Sequence, residues 1–172
     1  MKSSRILAAL WLASLIGGCG FHPLYGDRGA TAETAEKLTM IYVEPIPDKR
    51  GYELRNTLID LFDASGRASE AVYRLRVTLN EKTEGIAVQN DAAITRYNDT
   101  LRVNYELVDM KSGALVTKGE ESGLSAYNVV ASPYATLSAQ EDADKRAADD
   151  IAYRIKTDLA VFFAQAPAPP KK

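Results

Sequence analysis

The sequence predicts an α+β domain, in which a four-stranded, mainly antiparallel sheet carries two helices on one face. Two observations support this fold class. Apolar and polar residues alternate with a period of two in the middle of the chain, and apolar residues recur at helical spacing in two other segments. The inferred order is strand, helix, three strands, helix. Both helical stripes can then be buried on one sheet face while the other face stays polar.

The first strand is predicted at residues 38–43, where apolar, β-prone side chains precede two prolines that cannot donate to a ladder. Asp48 is expected to cap the helix that follows. Ser65 and Gly66 are expected to end that helix. Its apolar stripe consists of Leu54, Leu58, Leu61 and Phe62.

Alternation predicts two half-buried, antiparallel strands at residues 73–80 and 101–107. The link at 81–90 is long for a hairpin, so either the strands extend into it or it forms a mobile loop. A tight turn is predicted at 109–113, with its glycine supplying positive φ. A fourth strand then runs from about residue 114 into the 120s.

The longest helical pattern begins after Ser132 and Pro133. Its charged outer face is interpreted as a solvated surface. The proline-rich tail at 166–172 cannot continue a helix and is predicted to be disordered. The apolar stripe of the helix comprises Ala148, Ile151, Ala152, Ile155, Leu159 and Phe162.

The N-terminus has the layout of a bacterial lipoprotein signal. Lys2 and Arg5 precede an apolar run at 6–16, and two glycines lead into Cys19. Residues 1–18 are therefore expected to be removed, and Cys19 to carry S-diacylglycerol and N-palmitoyl groups. A transmembrane anchor is the alternative, but the run is shorter than the roughly 20 residues that a span requires.

Residues 19–36 are predicted to form the lipidated N-terminus and a tether, since 26–36 is small and polar. The folded domain is expected at 37–165. Gly20, rather than aspartate, follows Cys19. This predicts an outer-membrane protein, attached by lipid on the periplasmic side.

Composition disfavours several classes of protein. The 172-residue chain has a net charge of −2, so no global basic field would attract nucleic acid. The single cysteine leaves none for an intramolecular disulfide. His22 is the only histidine, which disfavours a metal site or a serine-histidine-acid triad, and we interpret it as a linker residue. We predict no cofactor, no metal and no catalysis.

The segment at 18–26, Gly-Cys-Gly-Phe-His-Pro-Leu-Tyr-Gly, resembles the LPS-assembly lipoprotein LptE family, as do the element order and the closing helix at 147–155. The resemblance covers essentially the whole mature chain. It implies a role as a plug inside the outer-membrane β-barrel LptD while lipopolysaccharide passes to the outer leaflet. A polar lumen requires a plug with its own core and a hydrophilic exterior, and the sequence offers both.

Arginines on the open sheet face are the candidate substrate contacts. Guanidinium groups match phosphate oxygens, and the lipid A head group of lipopolysaccharide carries phosphates. The alternative is that they pair with cross-strand acids such as Glu106 or with the barrel wall. The set consists of Arg74, Arg76, Arg96 and Arg102.

Other interpretations stay open. Phe21, Leu24 and Tyr25 suit the barrel, the lipid interface or the edge of the domain itself. Tyrosines on the strands, such as Tyr73 and Tyr105, favour core or interface filling. A second functional hypothesis is an auxiliary lipid-binding lipoprotein of an ABC-type phospholipid transport system without a barrel partner. A third is an anchored hydrolase that acts on envelope polymers.

Overall fold

The computed structural model describes residues 28–87 and 94–165. Within these ranges the sheet has four strands and three α-helices accompany it. The elements are α1 (Arg28–Thr39), β1 (Ile41–Val43), α2 (Asp48–Phe62), a 3-10 turn (Ala68–Glu70), β2 (Tyr73–Ala87), β3 (Ile94–Asp109), β4 (Leu115–Asn128) and α3 (Pro133–Gln165).

The strands lie side by side in chain order, β1-β2-β3-β4. The short β1 pairs with β2 in parallel, because α2 carries the chain back across the sheet between them. The β2–β3 and β3–β4 pairs are antiparallel. The predicted fold class, a mainly antiparallel four-stranded sheet with helices packed on one face, is confirmed.

The prediction missed helix α1. The tether at 26–36 is wrong in part, because the helix begins at Arg28, and the strand at 38–43 is shortened to Ile41–Val43. Half of the twelve residues of α1 are Ala, Glu or Lys, which are good helix formers. A Glu33–Lys37 ion pair (2.8 Å) links successive turns. Leu38 lies in the last turn of this helix, and its side chain is buried.

The predicted cap of α2 is also wrong. Pro47 occupies the cap position, Asp48 is the first helical residue, and no side chain caps the helix. The helix ends at Phe62 because Asp63 adopts a left-handed conformation (φ 52°), in which its N–H donates to the Asp60 carbonyl. The last helical residue, Phe62, lies three residues before the predicted stop at Ser65.

Of the two alternatives for the link at 81–90, extension of the strands is confirmed, since β2 continues to Ala87 and β3 starts at Ile94. Residues 88–93 lie outside the described part. The turn at 109–113 is confirmed. The Asp109 carboxylate accepts the backbone N–H groups of Lys111 (3.1 Å) and Ser112 (2.7 Å), and Gly113 has φ 71°.

The core lies between the inner sheet face and the three helices. It combines Leu75, Leu107 and Val103 from the strands with Leu54 and Leu58 from α2, and each of these is fully buried. The α3 stripe is as predicted except at its end, where Phe163 is buried and Phe162 is only partly so. The buried residues of α3 are Ala143, Ala147, Ala148, Ile151, Ala152, Ile155, Leu159 and Phe163.

Candidate functional site

The open face of the sheet carries the predicted arginines, but two of them are held in ion pairs. Parallel pairing places Glu44 beside β2, where its N–H donates to the Leu75 carbonyl (3.0 Å). Its carboxylate contacts Arg74 Nε at 3.4 Å and Arg76 Nε at 3.3 Å. Arg76 Nη1 also lies 3.6 Å from a Glu106 oxygen, so the predicted alternative of cross-strand pairing with Glu106 is confirmed for this residue.

Arg102 and Arg96 lie further along β3. Arg102 is exposed between Asn80 and Ser122 in the register, and no ion pair or side-chain hydrogen bond engages it among the described residues. Arg96 Nε donates to Asn98 Oδ1 at 3.4 Å. At about 3.4 Å per residue, Arg96 and Arg102 are roughly 20 Å apart. The four arginines therefore do not converge on a single phosphate group.

The open face nevertheless carries an excess of positive charge. Alternation and register assign six cations and four acids to it, although the whole chain has a net charge of −2. An excess of positive charge suits this face to an anionic surface. The cations are Arg74, Arg76, Lys82, Arg96, Arg102 and Lys118, and the acids are Glu44, Glu84, Glu106 and Glu120.

The inner face holds a charged cluster that the sequence analysis missed. Arg50, from α2, reaches Asp144 on α3 (2.8 Å), Asp99 on β3 (3.4 Å) and Glu81 on β2. Asp99 is 2% exposed. One oxygen each of Asp99 and Asp144 is buried without a hydrogen-bond partner. The signal was an acid at position 99, an inward position in the alternation of β3.

Two effects within this cluster act on the pKa of Asp144 in opposite directions. Burial raises the pKa of Asp144 above its ordinary value, and the adjacent Arg50 guanidinium only partly counteracts that rise. The cluster joins α2, α3 and two strands beyond the apolar core. These ion pairs therefore link the helical layer to the sheet.

A second polar link ties α3 to the sheet. The Tyr105 hydroxyl donates to Asp158 Oδ2 at 2.9 Å, and the absent side chain of Gly119 leaves room for the tyrosine ring. Burial raises the pKa of the nearby Glu121, and Asp158 raises it further, whereas Arg154, 3.6 Å away, lowers it. Tyr105 is 4% exposed, which confirms the core role predicted for it.

Several predicted residues lie outside the described part of the chain, namely Cys19, His22, Phe21, Leu24 and Tyr25. Between 28 and 87 and between 94 and 165, no group of His, Cys, Asp or Glu side chains is arranged to hold a metal ion. None of the helices in those ranges combines the length and apolar character needed to cross a bilayer.

Comparison with known proteins places these surfaces in context. The family model for LptE, lipopolysaccharide-assembly, matches residues 38–159. The match spans β1 to most of α3, and thus both the open-face arginines and the inner cluster.

Two individual proteins are also similar to this chain. The crystal structure of a candidate lipoprotein from Caulobacter crescentus is similar with a TM-score of 0.67 and 30% identity, covering 78% of this chain and 98% of that one. An uncharacterized protein of Rickettsia prowazekii is 25% identical over 159 residues, covering 92% of this chain and 98% of the relative.

The fold extends to more distant proteins. The crystal structure of rare lipoprotein B from Shewanella oneidensis has a TM-score of 0.51, with coverage of 70% of this chain and 92% of that one. At 13% identity this likeness concerns the fold alone.

Proposed function

Because the chain belongs to the LptE, lipopolysaccharide-assembly family, we propose that it is an outer-membrane lipoprotein that assembles with the LptD barrel and plugs it. In this role it helps to deliver lipopolysaccharide to the outer leaflet. The family match over 38–159 is the observation that carries the proposal. The protein contributes shape, charge and a stable core, and we assign it no catalytic step.

The anchor in this proposal is Cys19, modified with S-diacylglycerol and N-palmitate after removal of residues 1–18. Several acyl chains hold a protein durably, because each buried methylene contributes about 0.8 kcal/mol. The folded domain then needs no membrane-binding surface of its own. Its exterior is free to face a partner and the periplasm.

The physical character of the domain fits a plug. Its core is closed by three helices on one sheet face, and the opposite face is polar and rich in charge. A barrel lumen is likewise polar, so such a domain can enter it without unfolding. The domain thus has two different surfaces, the helical layer and the open face. One can contact the wall of the barrel while the other contacts the lipopolysaccharide that passes.

Arg102 is the open-face residue that we propose for contact with lipopolysaccharide phosphate, with Arg96 as a second contact further along β3. Arg102 has no competing carboxylate among the described residues. Arg74 and Arg76 share Glu44, which neutralises part of their charge. We therefore rank them below Arg102 as phosphate ligands.

The first experiment is purification of the full-length lipoprotein from its native host under mild detergent. We expect a large β-barrel to be recovered with it, and fatty acid to be found on Cys19 by mass spectrometry. Depletion of the protein should lower both folded barrel and surface lipopolysaccharide. Normal levels of both after depletion, or co-purification with an ABC-type transporter instead, would contradict the proposal.

The second experiment concerns the substrate. Arg102→Ala is expected to weaken lipopolysaccharide binding about tenfold, the order of one charge-assisted hydrogen bond. The matched control is Arg67→Ala, an exposed arginine on the 3-10 turn whose partner is Glu70. If both variants bind lipopolysaccharide equally well, Arg102 is a solvated surface residue and not a phosphate contact.

A further inference from the structure

A groove runs between the edge strand β4 and helix α3. Two adjoining cavities of about 350 and 430 Å³ form it. Together they contact the consecutive residues 124–128 of β4. Successive side chains of a strand point to opposite faces, so a cavity that touches each residue in turn lies along the edge of the strand. Its floor is therefore the main chain of β4.

The far wall of the groove is one stripe of α3. Its small members are Ala135, Ala139, Ala143 and Ala147, each four residues after the last. Short side chains at this spacing leave the space between the helix and the strand edge unfilled. The resulting slot is roughly 14 Å long from Leu124 to Asn128, since β4 residues rise about 3.4 Å each.

Hydrogen bonds show which way the edge groups of β4 point. The Val129 N–H donates to Thr95 on β3 (2.9 Å), whereas the Ser122 carbonyl accepts Arg154 Nη1 from α3 (2.8 Å). Because the direction alternates along an antiparallel strand, the N–H and C=O groups of Leu124, Ala126 and Asn128 face the groove. No other group among the described residues binds them.

A polar side chain also faces this slot. Ser125 is 8% exposed, lines the cavity, and makes no side-chain hydrogen bond within the described ranges. On the opposite wall Arg146 lines both cavities, is exposed, and has no ion-pair partner in the part of the chain that the structure describes. Backbone and side-chain groups in the slot thus present donors and acceptors without partners.

We propose that this groove receives an extended segment of a partner polypeptide, which adds to β4 as a fifth strand. The proposal rests on the proposed function, and its occupant is a segment of the barrel partner. Three outward-facing residues on β4 supply the ladder, and the alanine stripe leaves room for side chains of the added strand on the side facing α3. One acidic residue of the segment reaches Arg146. A second carboxylate would be repelled by Asp142 one turn away.

The chain's own tail is a poor occupant. Three of its seven residues are prolines, which lack the N–H that a ladder requires. A second copy is disfavoured because its own α3 flanks the same edge.

The test replaces one edge donor in the full-length lipoprotein, produced together with its barrel partner. Ala126→Pro removes an N–H that faces the groove and is not used by β3. We expect recovery of the barrel to fall about tenfold, the order of one lost hydrogen bond plus a steric clash with the added strand. Glu120→Pro is the matched control, because residue 120 faces away from β3 in the same way but lies outside the groove.

A second variant covers the case in which Ala126→Pro fails to fold. Ala139→Trp fills the groove from the half-buried wall of α3, and Ser138→Trp adds the same side chain at the neighbouring exposed position. Only the first is expected to reduce recovery. A photo-crosslinking residue at 126 should join the barrel, and one at 120 should not.

The outcomes separate the two proposals. If the unmodified lipoprotein recovers no barrel, the proposed function fails. If it recovers the barrel and Ala126→Pro or Ala139→Trp does so equally well, the groove inference alone is overturned. Crosslinks from position 126 that join two copies of this chain would also overturn it, in favour of edge-to-edge dimerisation.

Discussion

The inner and open faces of the same sheet use arginine in opposite ways. On the inner face Arg50 is 15% exposed and is enclosed by three carboxylates from three different elements. On the open face Arg76 is 52% exposed and shares Glu44 with Arg74, while Arg102 has no such partner in the described ranges. Charge that is buried this way holds the fold together, and charge left in solvent remains available to a partner.

The two faces also differ in the free-energy cost of removing one charged side chain. Removing one member of a buried ion cluster leaves its partners charged and desolvated, which costs several kcal/mol. Removing one member of an exposed pair leaves a hydrated ion, which costs little. The two faces should therefore respond differently to the same kind of substitution.

The largest effect is expected from Arg50→Met. Asp99 and Asp144 would remain buried without their cation, so we expect the free energy of unfolding to fall by about 3–5 kcal/mol. Chemical denaturation measures this change. The control is Lys49→Met on the same helix, whose partner Glu141 is exposed, and it should show no measurable change.

Neutralising the acids tests the cause. The combined variant Arg50→Met, Asp99→Asn, Asp144→Asn should recover most of the lost stability, because no buried charge is left unpaired. A loss by Arg50→Met below about 1 kcal/mol would put this cluster in the same class as the exposed pairs and remove the contrast between the faces.

A moderate effect is expected from Gly119→Ala on the inner face. The new Cβ would overlap the ring and hydroxyl of Tyr105, which must then move away from Asp158. Overpacking of this kind costs about 1–3 kcal/mol. Thermal unfolding of Gly119→Ala in the native and Tyr105→Phe backgrounds measures it. Identical losses in both backgrounds would show that the hydroxyl contact is not the cause.

The smallest effect concerns pH and Glu121. Its pKa is raised above the ordinary 4.5, so the folded protein holds this proton after the unfolded chain has released it. Unfolding then releases a proton, and this group's contribution to stability falls as pH rises above 4.5, until the folded carboxyl also ionises.

Glu121→Gln removes that loss. We expect the melting temperature of Glu121→Gln, relative to that of the native protein, to rise as the pH is raised above 4.5. The control is Glu120→Gln, whose side chain lies on the exposed open face. A difference between Glu121→Gln and the native protein that stays constant with pH would contradict the assignment of this carboxyl.

Local patterns in the sequence were sufficient for most of the fold. The period-two alternation over 73–80 and 101–107 places Leu75 and Leu107 in the core, and helical spacing identifies Leu54 and Leu58. Helix α1 was not predicted because its apolar residues are few and form no clear stripe. Phe163 was confused with Phe162 because both lie within one turn of Leu159, and only packing against Tyr73 (ring centroids 5.3 Å apart) separates them.

The open-face site was predicted in part for the same reason. Alternation alone assigns Arg74, Arg76, Arg96 and Arg102 to one face. It does not say which of them are neutralised, because Glu44 reaches that face only through the parallel pairing of β1 with β2. Cys19 and the lipid expected on it remain a prediction from the signal sequence.

The sequence by itself determined the element types, the polar open face and the position of the tight turn, because each depends on residues that are close neighbours along the chain. Only the tertiary structure decided the Arg50 cluster and the groove beside β4. Arg50 and Asp144 are far apart in sequence, and the groove joins a strand edge to a helix stripe. Contacts of this kind depend on how elements pack, and no local pattern encodes that packing.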